Sequence, residues 1–197
     1  MDEHSDYSES DALLDNGAEA YGNGDFEKAK RYYEQAAELG NDQALCNLGY
    51  IYEYGRIGEK DPEQAFYCYS EAALGGNANA LYKVGDAYYY GDFVKKNPRL
   101  AFKYYMMAGQ NLETDKDDDI RSDIDYRLAK CCAYGIGAKK DLMSALHFIN
   151  DAEAEIYLDQ AYHKPGWQKL KWKIEDLRKE ILVELDELLD HPKIRYE

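Results

Sequence analysis

An alanine recurs along the chain at nearly constant steps: Ala29, Ala65, Ala101 and Ala145, separated by 36, 36 and 44 residues. Four residues beyond each stand Tyr33, Tyr69, Tyr105 and Ile149, and seven beyond stand Ala36, Ala72, Ala108 and Ala152. A repeat of this period narrows the choice of architecture, because one unit is too short to bury its own apolar face and must stack on its neighbours. Spacings of four and three place the alanines and the large residue on one face of a helix. Alanines there let a neighbouring helix approach to roughly 8–10 Å, and the tyrosine fills the space beside them.

A second set precedes the first. Gly49, Tyr52 and Gly55 match Gly85, Tyr88 and Gly91; the last copy holds Ala129, Cys132 and Gly135 in those places. Gly49 and Gly85 mark close helix crossings. Gly55, Gly91 and Gly135 end helical patterns and are C-terminal stops. Asp61-Pro62 and Asn97-Pro98 each supply an N-cap with proline at the first helical position. Each copy is therefore helix, loop, helix, with turns between copies at Gly40-Asn41 and Gly75-Gly76-Asn77. The expected helix pairs are 11–22 with 25–39, 42–54 with 62–74, 78–90 with 98–109, and 120–133 with 141–162, followed by a helix over 167–190.

The run Ala44-Leu45-Cys46-Asn47-Leu48-Gly49-Tyr50-Ile51-Tyr52-Glu53-Tyr54-Gly55, followed by Asp61, Ala65, Tyr69, Ala72-Ala73 and Gly76-Asn77, resembles the Sel-one-like repeat (SLR), a relative of the tetratricopeptide repeat. Gly24-Asp25-Phe26-Glu27-Lys28-Ala29 lacks the longer loop and is similar to a plain tetratricopeptide repeat. The resemblance spans residues 11 to about 155, with the fourth copy departing from the pattern at Ala129 and Cys132. It implies an all-α fold: a right-handed α-solenoid of about four helix–turn–helix repeats plus a C-terminal capping helix. The expected organisation is a disordered acidic N-terminus (1–9), SLR/TPR-like repeats over 10–155 (10–40, 41–76, 77–112 and 120–155), a helical cap (156–190) and a tail (191–197). The extra residues before the fourth copy fall at 114–119, an exposed acidic insertion.

The resemblance also implies a function, a scaffold or adaptor that binds a partner segment on a concave face lined by the first helix of each pair. Carried over residue by residue, the partner-facing positions are Tyr21; Gln43, Cys46, Tyr50 and Glu53; Asn79, Tyr82, Asp86 and Tyr89; and Asp123, Tyr126 and Lys130. Tyr50, Tyr82, Tyr89 and Tyr126 are expected to be exposed in the groove, where tyrosine gives large contact area at low entropic cost. Tyr33, Tyr52, Tyr69, Tyr88 and Tyr105 are expected to be structural. Some relatives clamp a terminal carboxylate with basic residues, but the first copy has Leu14 and Ala18 at those places, so a peptide with basic and apolar side chains is the better fit. A secreted, cysteine-rich branch of the family staples successive repeats. Here Cys46 occupies one of the two positions and Ala37 the other, so the staple is missing, which is consistent with a reducing compartment.

In the last helix, Leu170, Ile174, Leu177, Ile181, Leu185 and Leu188 form one apolar stripe with Trp167, as a cap on an end repeat requires. Trp172 and Val183 fall on the opposite face and mark a possible second interface, with a partner or with a second copy of the chain. Lys169, Lys171, Lys173, Arg178 and Lys179 give the helix local positive charge on a solvated face.

Hydrophobic residues make up 45% of the 197, enough for a core. The net charge of −15 repels phosphate backbones and anionic lipids, and so argues against nucleic acid and membrane partners. It favours a basic partner and also serves solubility. No apolar run approaches the roughly 20 residues of a membrane span. The start, Met1-Asp2-Glu3-His4, is acidic, unlike a signal peptide, so the expected location is cytoplasmic. The four cysteines are expected to be reduced, and none has zinc spacing. Asp115, Asp117 and Asp119 begin like a calcium loop, but Ile120 replaces its glycine and Tyr126 its bidentate glutamate. The glycine pairs lack a following Gly-Lys-Ser/Thr, and His4, His147, His163 and His191 are scattered. No enzyme activity, metal or cofactor is expected. Two alternatives to the scaffold stay open: an acidic inhibitor or immunity-type protein that neutralises a basic target, and a self-assembling structural unit using the last helix.

Overall fold

The computed structural model describes residues 8–112 and 118–190. Among these residues there are nine helices and no strand. The chain divides into two compact units, one ending at Lys96 and the other starting at Asn97.

The first unit holds α1 (Glu9–Gly22), α2 (Phe26–Glu38), α3 (Asp42–Tyr54), α4 (Pro62–Leu74) and α5 (Ala78–Tyr90), each packed on the next. Short polar side chains start every one of them. Asn41 Oδ1 accepts the Ala44 amide at 3.0 Å, Asp61 Oδ1 that of Gln64 at 3.0 Å, and Asn77 Oδ1 that of Ala80 at 2.9 Å. Each such cap contributes about 1 kcal/mol. Ser8 and Asp11 form a reciprocal capping box at α1. Helix α1 thus begins inside the stretch expected to be disordered: Ser8 caps it and Glu9 opens it.

The glycine stops work as the pattern requires. Gly55, Gly91 and Gly135 adopt φ of 61°, 85° and 68°. After each, the next amide donates to a carbonyl five residues back: Arg56 to Ile51, Asp92 to Ala87 and Ile136 to Cys131. This closes the orphan carbonyls of the last turn and turns the chain in the same way each time.

One core cluster of the first unit joins Ala20, Ala29, Tyr33, Ala36, Ala44, Leu48 and Ile51, and Ala65, Tyr69, Ala72, Leu81 and Val84 are buried further along it. Gly49 lies beneath the Tyr69 ring, and Gly17 beneath the Tyr33 ring in the same manner; a Cβ on either glycine would stand 2.4 Å from a ring carbon. Burial pushes the Tyr33 phenol up to about 12.

The second unit holds α6 (Pro98–Gln110), α7 (Asp118–Tyr134), α8 (Leu142–Ala161) and α9 (Trp167–Asp190). Helix α7 starts two residues before the expected 120. Helix α8 continues through Ala161, so residues 156–161 extend the fourth pair and the separate last helix begins at Trp167. Helix α9 lies on α8 and also reaches α7. Its stripe of Leu170, Ile174, Leu177 and Ile181 joins Ala145, Ile149, Ala152 and Ile156 of α8 in one cluster. Polar ties reinforce it: Arg178 Nε donates to Asn150 at 3.0 Å and pairs with Glu153 at 3.1 Å, Tyr134 bonds Glu180, and Lys140 pairs with Glu184. The basic residues of α9 are thus not all on a solvated face. The insertion 114–119 lies outside the described residues, apart from the backbone of 118 and 119 at the start of α7, and so does the calcium-like run begun by Asp115.

Candidate functional site

On α3 and α5, four of the expected partner-facing residues, Gln43, Tyr50, Glu53 and Asn79, are tied by hydrogen bonds, Tyr50 and Asn79 to each other and the other two to residues outside the expected set. The Asn77 amide donates to Gln43 Oε1 at 2.9 Å, and Gln43 Nε2 donates to Asn47 at 3.0 Å. Tyr50 Oη donates to Asn79 Oδ1 at 3.3 Å. Tyr69 Oη donates to Glu53 Oε2 at 2.6 Å, and Lys83 Nζ bonds both Glu53 oxygens at 3.1 and 2.8 Å. Burial, reinforced by Glu53, drives the Tyr69 phenol far above its ordinary range, so it stays a donor at every physiological pH.

Lys83 is the hub of this arrangement. Its ammonium lies 4.8, 5.7 and 5.8 Å from the ring centres of Tyr50, Tyr54 and Tyr69, a cation enclosed by three π faces and one carboxylate. Arg56 repeats the device one pair earlier. Its guanidinium lies 5.7, 5.3 and 5.3 Å from Tyr21, Phe26 and Tyr54, while its Nε donates to Tyr21 Oη at 3.0 Å. Neither cation is among the residues expected from the sequence. The available signals were slight: Lys83 stands one turn past Asn79, and Arg56 directly follows a glycine stop.

Of the expected positions, Tyr21, Gln43, Tyr50, Glu53, Tyr82, Asp86 and Tyr89 are partly buried on the first unit, and Asp123 and Lys130 partly buried on the second. Three differ from expectation. Cys46 is wholly buried in the first unit and so unable to reach a partner. Asn79 is buried, with its side-chain oxygen accepting from Tyr50. Tyr126, expected to be exposed, is buried because α9 crosses α7 and lays Lys173 over its ring at 5.9 Å. Trp172 and Val183 do face outward, 65% and 51% exposed.

Residues 12–41, 42–77, 78–111 and 125–162 each match the model of the Sel1 repeat. The chain belongs to the Sel1 repeat family. Its fold is the α-solenoid of about four repeats plus a C-terminal helix that the resemblance implied. The chain is similar to the crystal structure of a Sel1 repeat protein from Oxalobacter formigenes, with 26% identity, a TM-score of 0.64, and coverage of 72% of this chain and 55% of that one. It is also similar to c5321, a protective antigen of uropathogenic Escherichia coli strains displaying an SLR fold. There the identity is 21%, the TM-score 0.61, and the coverage 95% of this chain and 41% of that one, a likeness of fold alone. The chain spans about half the length of the solved structures it matches. No curated protein matches it. Sel1 repeats are generally non-catalytic modules that bind other proteins. Among the described residues, no helix is long and apolar enough to cross a membrane, and no group of three or more His, Cys, Asp or Glu is placed to hold a metal ion.

Proposed function

We propose that this Sel1 repeat chain is a non-catalytic scaffold or adaptor, holding a segment of another protein on the face that α3 and α5 present in the first unit. The observation that supports it is the lattice around Lys83. A surface whose side chains are already fastened to one another loses little entropy on binding. Here Glu53, Tyr50 and Asn79 are fixed, and Tyr82 and Tyr89, partly exposed, lie on the same helix as Asn79. Tyr21, Gln43 and Asp86 complete the surface in this reading, and the charge of −15 favours a basic segment in a cytoplasmic setting.

The test is affinity capture from the cell extract with the intact chain and a Tyr82→Ala/Tyr89→Ala variant, with helical content checked by circular dichroism. A protein retained by the first and lost by the folded variant supports the proposal. Equal retention by both, or none by either, refutes this face. A second reading, self-association through α9, draws on the exposed Trp172. A mass by light scattering that rises with concentration, and no longer does so in Trp172→Ala, would favour it.

A further inference from the structure

The first unit contains the same slot twice, and only in the first does the loop residue after the glycine stop supply a cation to it. In the earlier copy, the end of α1 (Tyr21), the start of α2 (Phe26) and the end of α3 (Tyr54) surround Arg56, which enters from the loop just after Gly55. One pair later the same backbone places are held by Glu53, Pro62, Tyr90 and Asp92. The correspondence is set by the backbone, since Gly17 and Gly49 lie under equivalent tyrosines, and Arg56 and Asp92 make the same bond to a carbonyl five residues back. An acid cannot lie over an aromatic ring as a guanidinium does. The second slot is an open cleft of about 510 Å³.

Its walls suit a cation. Asp86 and Asp92 bring carboxylates beyond Glu53, which is already paired with Lys83, and Phe66, Tyr90 and Phe93 bring aromatic surface. Lys60 and Lys83 also line it, but the Lys83 charge is taken up by Glu53. Phe93 is held there at some cost. It has φ of 61°, and the Val94 amide bonds the Asp92 carbonyl at 2.7 Å across it, a γ-turn of the positive-φ kind that is rare and strained. The fourth copy spends a glycine, Gly137 at φ of 76°, on its loop. Phe93 instead remains 48% exposed, with Phe66 and Tyr67 at 5.7 and 6.2 Å. Strain retained in an exposed aromatic points to a binding role.

We infer that this cleft takes an arginine side chain supplied by a partner protein, which does there what Arg56 does in the slot before it. Arginine suits it better than lysine, because a planar guanidinium stacks on rings while its edge meets a carboxylate in two-point contact. The inference rests on the reading of the chain as a protein-binding module, and it names the chemistry of one anchor residue.

The test uses the full ¹⁵N-labelled chain and two blocked pentapeptides, acetyl-Ala-Ala-Arg-Ala-Ala-amide and its twin with citrulline, the neutral isostere, in place of arginine. The arginine peptide should give saturable amide shifts confined to the loop 91–94 and the last turn of α5, with the citrulline twin bound about tenfold more weakly or worse. Asp92→Arg should abolish these shifts while leaving the rest of the spectrum in place, because it fills the slot from within. Equal binding of the two peptides, shifts spread over the acidic surface without saturation, or undiminished binding by Asp92→Arg overturns the inference. Neither Tyr82 nor Tyr89 lines the cleft, so such a failure leaves the capture experiment free to succeed.

Discussion

Replacing Gly49 by alanine should destabilise the protein, although the same change in an ordinary helix interior gains about 1 kcal/mol. The new Cβ would stand 2.4, 2.6 and 2.8 Å from Cε1, Cδ1 and Cζ of Tyr69. Carbon atoms rest comfortably at about 3.5–4.0 Å, so the ring must move by roughly an ångström. It has little freedom to do so, being 5% exposed and tied by its hydroxyl to Glu53 at 2.6 Å. Overpacking of this kind costs about 1–3 kcal/mol, and loss of the hydroxyl bond adds about 1 kcal/mol. After the propensity gain is subtracted, the net loss is about 1–3 kcal/mol. Gly22→Ala is the internal control, since a Cβ there meets no atom within 4 Å and should stabilise by a few tenths to about 1 kcal/mol. Urea denaturation with linear extrapolation measures both. In a Tyr69→Leu background the penalty of Gly49→Ala should shrink, and the coupling energy of the cycle isolates the ring contact. A Gly49→Ala protein as stable as the parent would refute the account of this helix crossing.

Other outcomes follow from the same geometry. Lys83→Met should cost about 1–3 kcal/mol, because it strips Glu53 of its counter-ion among three tyrosine rings; adding Glu53→Gln should restore part of that loss in the same denaturation assay. Asp125 is held up at about 7 by burial, then by Asp151 and Glu155, against the opposing pull of Arg121 and His147. With the folded-state value above the usual 3.8, its protonated form stabilises the fold fully below about pH 4, and that contribution is lost as the pH rises through 7. Asp125→Asn should remove up to about 4 kcal/mol of that pH dependence, measured as the difference between the two proteins' unfolding free energies from pH 4 to pH 8. Gly137→Ala should lower stability by about 2 kcal/mol or more, read from the denaturation midpoint, because its φ is 76° and the added Cβ would lie 2.0 Å from the Pro98 carbonyl oxygen.

The sequence by itself determined the helices, their caps and stops, and the faces they bury. Each of these follows from short-range rules: an Asn or Asp accepting an amide three residues on, a glycine bending the chain after the last turn, and an Ala–Tyr–Ala spacing that marks one helix face. Such rules operate within a few residues, so they can be read along one strand of text. Only the tertiary structure decided which polar side chains meet. Tyr50 finds Asn79 at 29 residues' separation, Lys83 finds Glu53 at 30, and Arg56 finds Tyr21 at 35. These pairings depend on the lateral register of packed helices, which no local spacing encodes. For the same reason Cys46 and Tyr126, placed on the binding face by transfer from the family, are buried. Helix α9 covers Tyr126 because its apolar stripe needs the surface of the fourth pair, and that competition for buried area is settled only when all the helices are in place.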